Sequence, residues 1–338
     1  MPQVVSINQA LYDRLLAHNI VTQRYSAAVI SRILKRLEVA NRQFRLELLE
    51  AIESGSGVSR IDYLERLINQ VESVRLAMLD SIESAINGEL RTFADVAAEF
   101  QNTNLALISN TVNAAGGVQL RQLNSAQLYA VSYRQPWNGK LLKEGFDALK
   151  AQDLQITKEA LRAGWIAGRG SAEITRELFG RISYKNDYGL LGKTRSNYQS
   201  LIRTSMQHFA NQAARETSKN SLDLISRWQH LSKLDSKTSE TCIALANHIY
   251  TDFDKVRWPP LHYRCRSTIL SLVANYPAPA TPDPDEWLAG LSGDTQDKLL
   301  GKAVAQGFRD GKITRDDLIK RVTLEPITLA ELKAINKL

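Results

Sequence analysis

Cysteine is scarce in this sequence: Cys242 and Cys265 are the only 2 in 338 residues. That excludes a disulfide scaffold and suits a reducing compartment. Long apolar runs are missing as well. No stretch approaches the roughly 20 residues that cross a bilayer. The opening MPQVVSINQALYDRLL lacks the basic and apolar blocks of a secretory signal, so a cytosolic origin without a membrane segment is expected. Catalytic signatures are absent too. Gly168-Arg169-Gly170-Ser171 lacks the Gly-Lys-Ser/Thr ending of a phosphate loop and follows no predicted strand, so it is expected to be a helix-to-helix turn. Neither His-x-Glu nor Pro-Cys-x-x-Cys, the zinc deaminase pair, occurs. Asp252 and Asp254 near His248 are the only acidic pair in the cysteine-bearing region that could serve a magnesium nuclease. A Cys242–His262 thiolate would lack an orienting third group. No catalytic residue is assigned, and the chain is expected not to be an enzyme.

Charge is present but unevenly placed within a net +7. Lys plus Arg against Asp plus Glu is 13 to 13 over residues 1–139, 21 to 13 over 140–270 and 9 to 10 over 271–338. The excess is central, where it could neutralise phosphates, so genomic DNA is a candidate partner.

The sequence predicts a mainly α protein. Ile30, Ile33, Leu37, Phe44 and Leu48 recur at helical spacing in Tyr25–Ile52, and Ile61, Leu64, Ile68, Val71, Met78, Ile82 and Ile86 repeat the pattern. Gly55-Ser56-Gly57 breaks the first run, and Ser59 with Asp62 opens the second as a capping-box variant. Two long antiparallel helices are expected, then a third from about Phe93 to Val112 ending before Gly116-Gly117. Residues 1–130 are thus a helical bundle, or an arm that docks on a partner or self-associates; internal closure of such seams favours the bundle. A linker is expected from Gly116 to Pro136, where Trp137-Asn138-Gly139-Lys140 leads into a helix from about Leu141 to Trp165. Ser171 caps a short helix ending near Leu178. A further helix spans Thr194–Asn220, on which Arg195, Arg203, Arg215 and Lys219 are read as lying near one side, stepping by eight and twelve. That stripe could contact nucleic acid or an acidic portal surface, or be a solvated face.

Trp228–Leu270 holds both cysteines and His230, His248 and His262. Pro259-Pro260 precludes a helix there, and Asp235, Ser236, Thr238 and Ser239 suit a structured loop. Ser267–Val273 is apolar and β-branched enough for a strand. A small loop-rich α+β module is therefore expected. Cys242, His248, His262 and Cys265 offer two thiolates and two imidazoles, a tetrahedral zinc set by ligand type though not by ordinary zinc spacing. Without metal, the cysteines are buried small apolar groups, and His262 bonds backbone or Asp235 to pin the loop. Pro277, Pro279, Pro282 and Pro284 make residues 276–286 a stiff linker. Short helices follow at Trp287–Leu291, Gln296–Phe308 and Thr314–Val322, with Thr314/Asp317 and Thr328/Glu331 as capping boxes. Residues 287–338 are either a tethered lobe or one folded back on the middle domain.

The order Arg203-Thr204, Asn211, Ala214, Trp228, Leu234-Asp235, Thr238-Ser239, Cys242, Pro259-Pro260-x-His262 and Cys265-Arg266-Ser267 resembles the phage Mu F-like minor head proteins, a phage head morphogenesis family. The similarity spans about residues 135–335, with its core domain at 135–275, and includes Trp287-Leu288, Leu300-Gly301, Gly311-Lys312-Ile313, Asp317-Leu318 and Thr328–Leu332. Some relatives carry Cys-x-x-Cys before the prolines and Cys-Arg-Cys after them. Leu245 and Ser267 stand at those places, which counts against a four-cysteine metal site. Trp228, Asp235, Thr238, Pro259, Pro260, His262, Cys265, Arg266 and Ser267 are then the structural motif residues. The resemblance implies a minor virion protein, made in host cytoplasm and placed in the head interior or portal region. Its partners would be the portal and other head proteins, and its role capsid assembly, DNA packaging or the start of DNA ejection. The other reading is a DNA-binding internal virion protein delivered with the genome.

Overall fold

The computed structural model describes residues 6–54, 60–112, 121–137, 139–181, 189–320, 322–335 and 337. Gly55-Ser56-Gly57, Ser59, Gly116-Gly117 and Asn138 lie outside them. The protein is mainly helical with a small sheet, as its periodicities predict. It forms two compact units, one of Met1–Ile20, Ala94–Leu128 and Gln207–Leu338, the other of Val21–Phe93 and Tyr129–Met206. This is not the sequential division expected from composition, because long helices supply residues to both units.

The first helices are α1 (Ile7–Glu53) and α2 (Arg60–Val112). The helix expected to start at Phe93 is the second half of α2. Its buried face there mixes Ala94, Ala97 and Ala98 with the polar Gln101 and Asn104, which blurs the apolar stripe without breaking the helix. The supposed linker contains α3 (Ser125–Arg134). Asn124 Oδ1 accepts from the Gln127 amide at 3.0 Å, an N-terminal cap that gives this segment a helix start. Then come α4 (Leu142–Ile166), α5 (Ser171–Phe179) and α6 (Gly192–Lys219). Ser171 is not the cap of α5; Gly170 is, and the Ser171 hydroxyl bonds Glu53 at 3.0 Å.

In the second unit, Phe44, Leu48, Leu67, Ile68 and Val71 pack with Leu161, Ile174 and Leu178. Buried beside Phe44 is an ion pair. Arg75 donates to both carboxylate oxygens of Asp153 at 2.6 and 2.9 Å and to Asn41 Oδ1 at 2.6 Å, and both ionic side chains are 0% exposed. The guanidinium also lies 5.0 Å from the Phe44 ring centroid, so its donors and its face are both used.

The first unit carries the sheet. Strand β1 (Ile225–Leu231) sits between β2 (Ile249–Tyr250) and β3 (Thr268–Val273), antiparallel to each. Helix α7 (Glu240–Leu245) lies between β1 and β2 in the chain. The proline segment is no free tether. Asn8 Nδ2 donates to the carbonyls of Tyr276 and Pro277 at 3.2 and 3.0 Å, the Ala280 amide donates to Gln9 Oε1 at 2.9 Å, and Asn247 donates to the Pro282 carbonyl at 2.7 Å. Prolines supply carbonyls but no amide donors, and side-chain amides elsewhere take up those carbonyls.

The tail folds back. α8 (Pro284–Ala289), α9 (Gly293–Leu300), α10 (Lys302–Arg309) and α11 (Leu329–Ala334) bury Leu288, Leu300, Val304 and Leu332 against Ile243 and Leu245 of α7. The helix expected over Gln296–Phe308 is two, separated by Gly301 at φ +77°, a left-handed conformation that glycine accepts without strain. Arg315 donates to the Ile243 and Ala246 carbonyls at 3.1 and 2.9 Å, clamping the C-terminal end of α7. Both Thr–acid capping boxes form, at Thr314/Asp317 and Thr328/Glu331.

Candidate metal centre

The loop between β1 and α7 is closed by short polar side chains, as its sequence suggests. Thr238 Oγ1 accepts from the Asp235 amide at 2.8 Å and faces the Lys233 carbonyl at 2.6 Å. Asp235 grips the loop after the prolines: Arg266 donates to both its oxygens at 2.6 and 2.7 Å. Ser239 caps α7 by accepting from the Cys242 amide. Trp228 is buried edge-on to Phe253 in an aromatic cluster with Trp258, and the Pro259-Pro260 bond is cis.

These anchors bring Cys242, His262 and Cys265 together, with all three ligand atoms within 4.8 Å of one another. The sulfurs are 3.8 Å apart, and Cys242 Sγ is 3.2 Å from His262 Nε2. Zinc–sulfur bonds of about 2.3 Å at a tetrahedral angle separate two sulfurs by about 3.8 Å, and a sulfur from a nitrogen by about 3.6 Å. The group thus has the spacing of a metal set. His262 Nδ1 is 2.9 Å from the Tyr263 carbonyl, an acceptor only. In the neutral ring Nδ1 therefore carries the proton, and the Nε2 lone pair faces the thiols and the Ser239 hydroxyl, 2.8 Å away. An Nδ1–H held by a backbone carbonyl is the outer support that ligating histidines ordinarily have. Ser267 adds a hydroxyl donor to Cys242 Sγ at 3.1 Å, while its carbonyl accepts from Gln207 and Asn211 of α6 at 3.1 and 3.2 Å. Asn211 and Ser267, distant in sequence, thereby join one hydrogen-bonded knot.

Electrostatics favour a thiolate. The hydrogen bond from Cys242, with a further one from His262, holds the Cys265 thiol well below its ordinary range, while the bond to Cys265 and burial push Cys242 up. Interaction with Cys265 raises His262. Lys233, Lys237, Arg264 and Arg266 line the cleft over Cys242 and His262, a cationic rim that suits bound negative charge.

His248 does not join the group. It is exposed, with its ring edge-on to Tyr250 at 4.5 Å between centroids, while its carbonyl pairs with the His230 amide at 2.8 Å. The main-chain pairing holds its side chain outside the knot. His230, which the motif reading passed over, is 0% exposed, and neither ring nitrogen has a hydrogen-bond partner. Burial pushes it down to about 4. The arginine stripe also needs correction. At about 100° per residue, steps of eight and twelve turn the side chain by about 80° and 120°, so Arg195, Arg203 and Arg215 fan around α6. Arg195 pairs with Glu38 at 2.7 Å, and residues 204–214 are buried on every side. Arg203 and Lys219 remain exposed.

No protein-family model matches the chain, and no curated protein or solved structure matches it. Among the described residues, no helix is long and apolar enough to cross a membrane.

The Asp235–Arg266 pair predicts a pH response. Arg266 brings the Asp235 carboxyl down to about 2. A folded value below the unfolded one, about 3.9, means that the pair stabilises above pH ~4 and loses that contribution as pH falls towards 2. Partial exposure limits the effect to about 1 kcal/mol. Urea unfolding of the wild type and Asp235→Asn between pH 6 and 2.5 should show the two curves converging on acidification; a constant gap would contradict this.

Proposed function

We propose that this chain is a minor structural protein of a tailed-phage head, associated with the portal and acting in head assembly, DNA packaging or the start of DNA ejection. The observation that carries the reading is convergence. Of the residues that carry the family resemblance and lie dispersed along the chain, Asn211, Ser239, Cys242, His262, Cys265 and Ser267 are linked in one partly buried hydrogen-bonded knot, and Asp235, Thr238 and Arg266 clamp the adjoining loops. Cys242, His262 and Cys265 hold a structural zinc ion there, making the knot a rigid platform rather than a reaction centre. No catalytic role is assigned to these residues.

The test is His262→Ala/Cys265→Ala in the encoding phage. Particles should lose the chain from the portal-containing fraction and lose infectivity; normal infectivity would overturn the reading. DNA delivery is the second reading, supported by the central charge excess of 21 basic to 13 acidic side chains over residues 140–270. It requires salt-sensitive binding of the full chain to DNA, and no binding at low salt would remove it.

A further inference from the structure

Three ligands leave a tetrahedral zinc ion one short, and the exposed His248 is not placed to complete it. The inference concerns the fourth position, and it rests on the metal reading above.

Side chains of a strand alternate between faces, so Trp228, His230 and Ser232 project from the same side of β1 and its continuation. That side faces the knot. The Ser232 hydroxyl donates to the Cys242 carbonyl at 2.7 Å and lies 3.2 Å from Ser267 Oγ, which in turn donates to Cys242 Sγ. His230 lies one pleat before Ser232, and across the ladder it pairs with Ile269, two residues after Ser267. The ring is fully buried, yet both its nitrogens lack hydrogen-bond partners. Buried polar groups are rarely left so, because an unpaired one carries its full desolvation cost. A bound cation would give this ring the partner that the protein does not.

We propose that His230 is the fourth protein ligand of a closed Cys2His2 zinc site completed by Cys242, His262 and Cys265. His230 is not among the three residues whose ligand atoms lie within 4.8 Å of one another, so ligation turns the imidazole towards the sulfurs. The ion displaces the Ser239 hydroxyl from His262 Nε2 and leaves Nδ1 on the Tyr263 carbonyl. All four protein ligands are then engaged, the arrangement of a structural rather than a catalytic zinc.

Cobalt(II) titration of the full-length, metal-stripped chain tests this, with visible absorption reporting the ligand set. The wild type should bind one cobalt with intense tetrahedral bands and thiolate charge transfer. His230→Ala should weaken binding at least tenfold and shift the bands. His230→Cys should restore tight binding with added thiolate charge transfer, which separates ligation from a folding defect. His248→Ala, at an exposed position, should match the wild type. A His230→Ala protein with wild-type affinity and spectrum would overturn the proposal while leaving the three-residue site standing. No cobalt binding by the wild type would overturn the metal reading itself.

Discussion

Arg75→Ala should destabilise the protein by about 3–5 kcal/mol, because it strands a buried carboxylate without its counter-charge. Asp153 has 0% side-chain exposure, so water cannot replace the two guanidinium bonds. The Arg75→Met/Asp153→Leu double variant should recover much of the loss, since it removes the charge together with its partner. Thermal unfolding checks both. At about 2–4 °C per kcal/mol for a unit of this size, the single variant should melt some 6–20 °C lower. A fall of under about 2 °C would show that the pair is hydrated or dispensable.

The second large effect is metal removal. A ligand that binds only the folded state at about a thousand times its Kd adds about 4 kcal/mol, so chelation should lower the melting of the unit containing the knot by about 8–16 °C. Cys265→Ser should mimic chelation and become insensitive to it. The loss on chelation should shrink on acidification, because protons compete with the metal for the thiolates and the imidazoles and weaken its binding. Equal melting with and without chelator would leave a loop held by Asp235–Arg266, Thr238 and the Ser239 cap alone.

Much of this architecture was legible in the chain, and the failures have physical causes. Helices α4 and α6 follow from apolar spacing, and α5 from the glycine turn before it, although its cap is Gly170 and not Ser171. β3 follows from a β-branched run, and the two tail boxes from a threonine three residues before an acid. The Arg75–Asp153 pair left a mark that periodicity alone does not interpret: Arg75 falls between Val71 and Met78, on the apolar seam of α2. Asp153 likewise falls on the buried face of α4. A charge on such a seam announces a partner without naming it. The strap from Tyr276 to Pro282 looked like a tether because its own side chains are poor at packing; what fixes it are Asn8, Gln9 and Asn247, remote in sequence. In the knot, ligand type alone selects His248, because it does not distinguish one imidazole from another. Strand alternation, which puts His230 on the face of Trp228 and Ser232, was the signal that distinguished the buried histidine from the exposed one.

Elemental analysis of the full-length protein, purified without chelator or metal-affinity tag, is the decisive measurement for the metal centre proposed at Cys242, His262 and Cys265. One zinc per chain is expected, falling to well under half in His262→Ala/Cys265→Ala at matched folding by circular dichroism. A folded wild-type protein containing no stoichiometric metal, and acquiring none from excess zinc after reduction of its thiols, would contradict it.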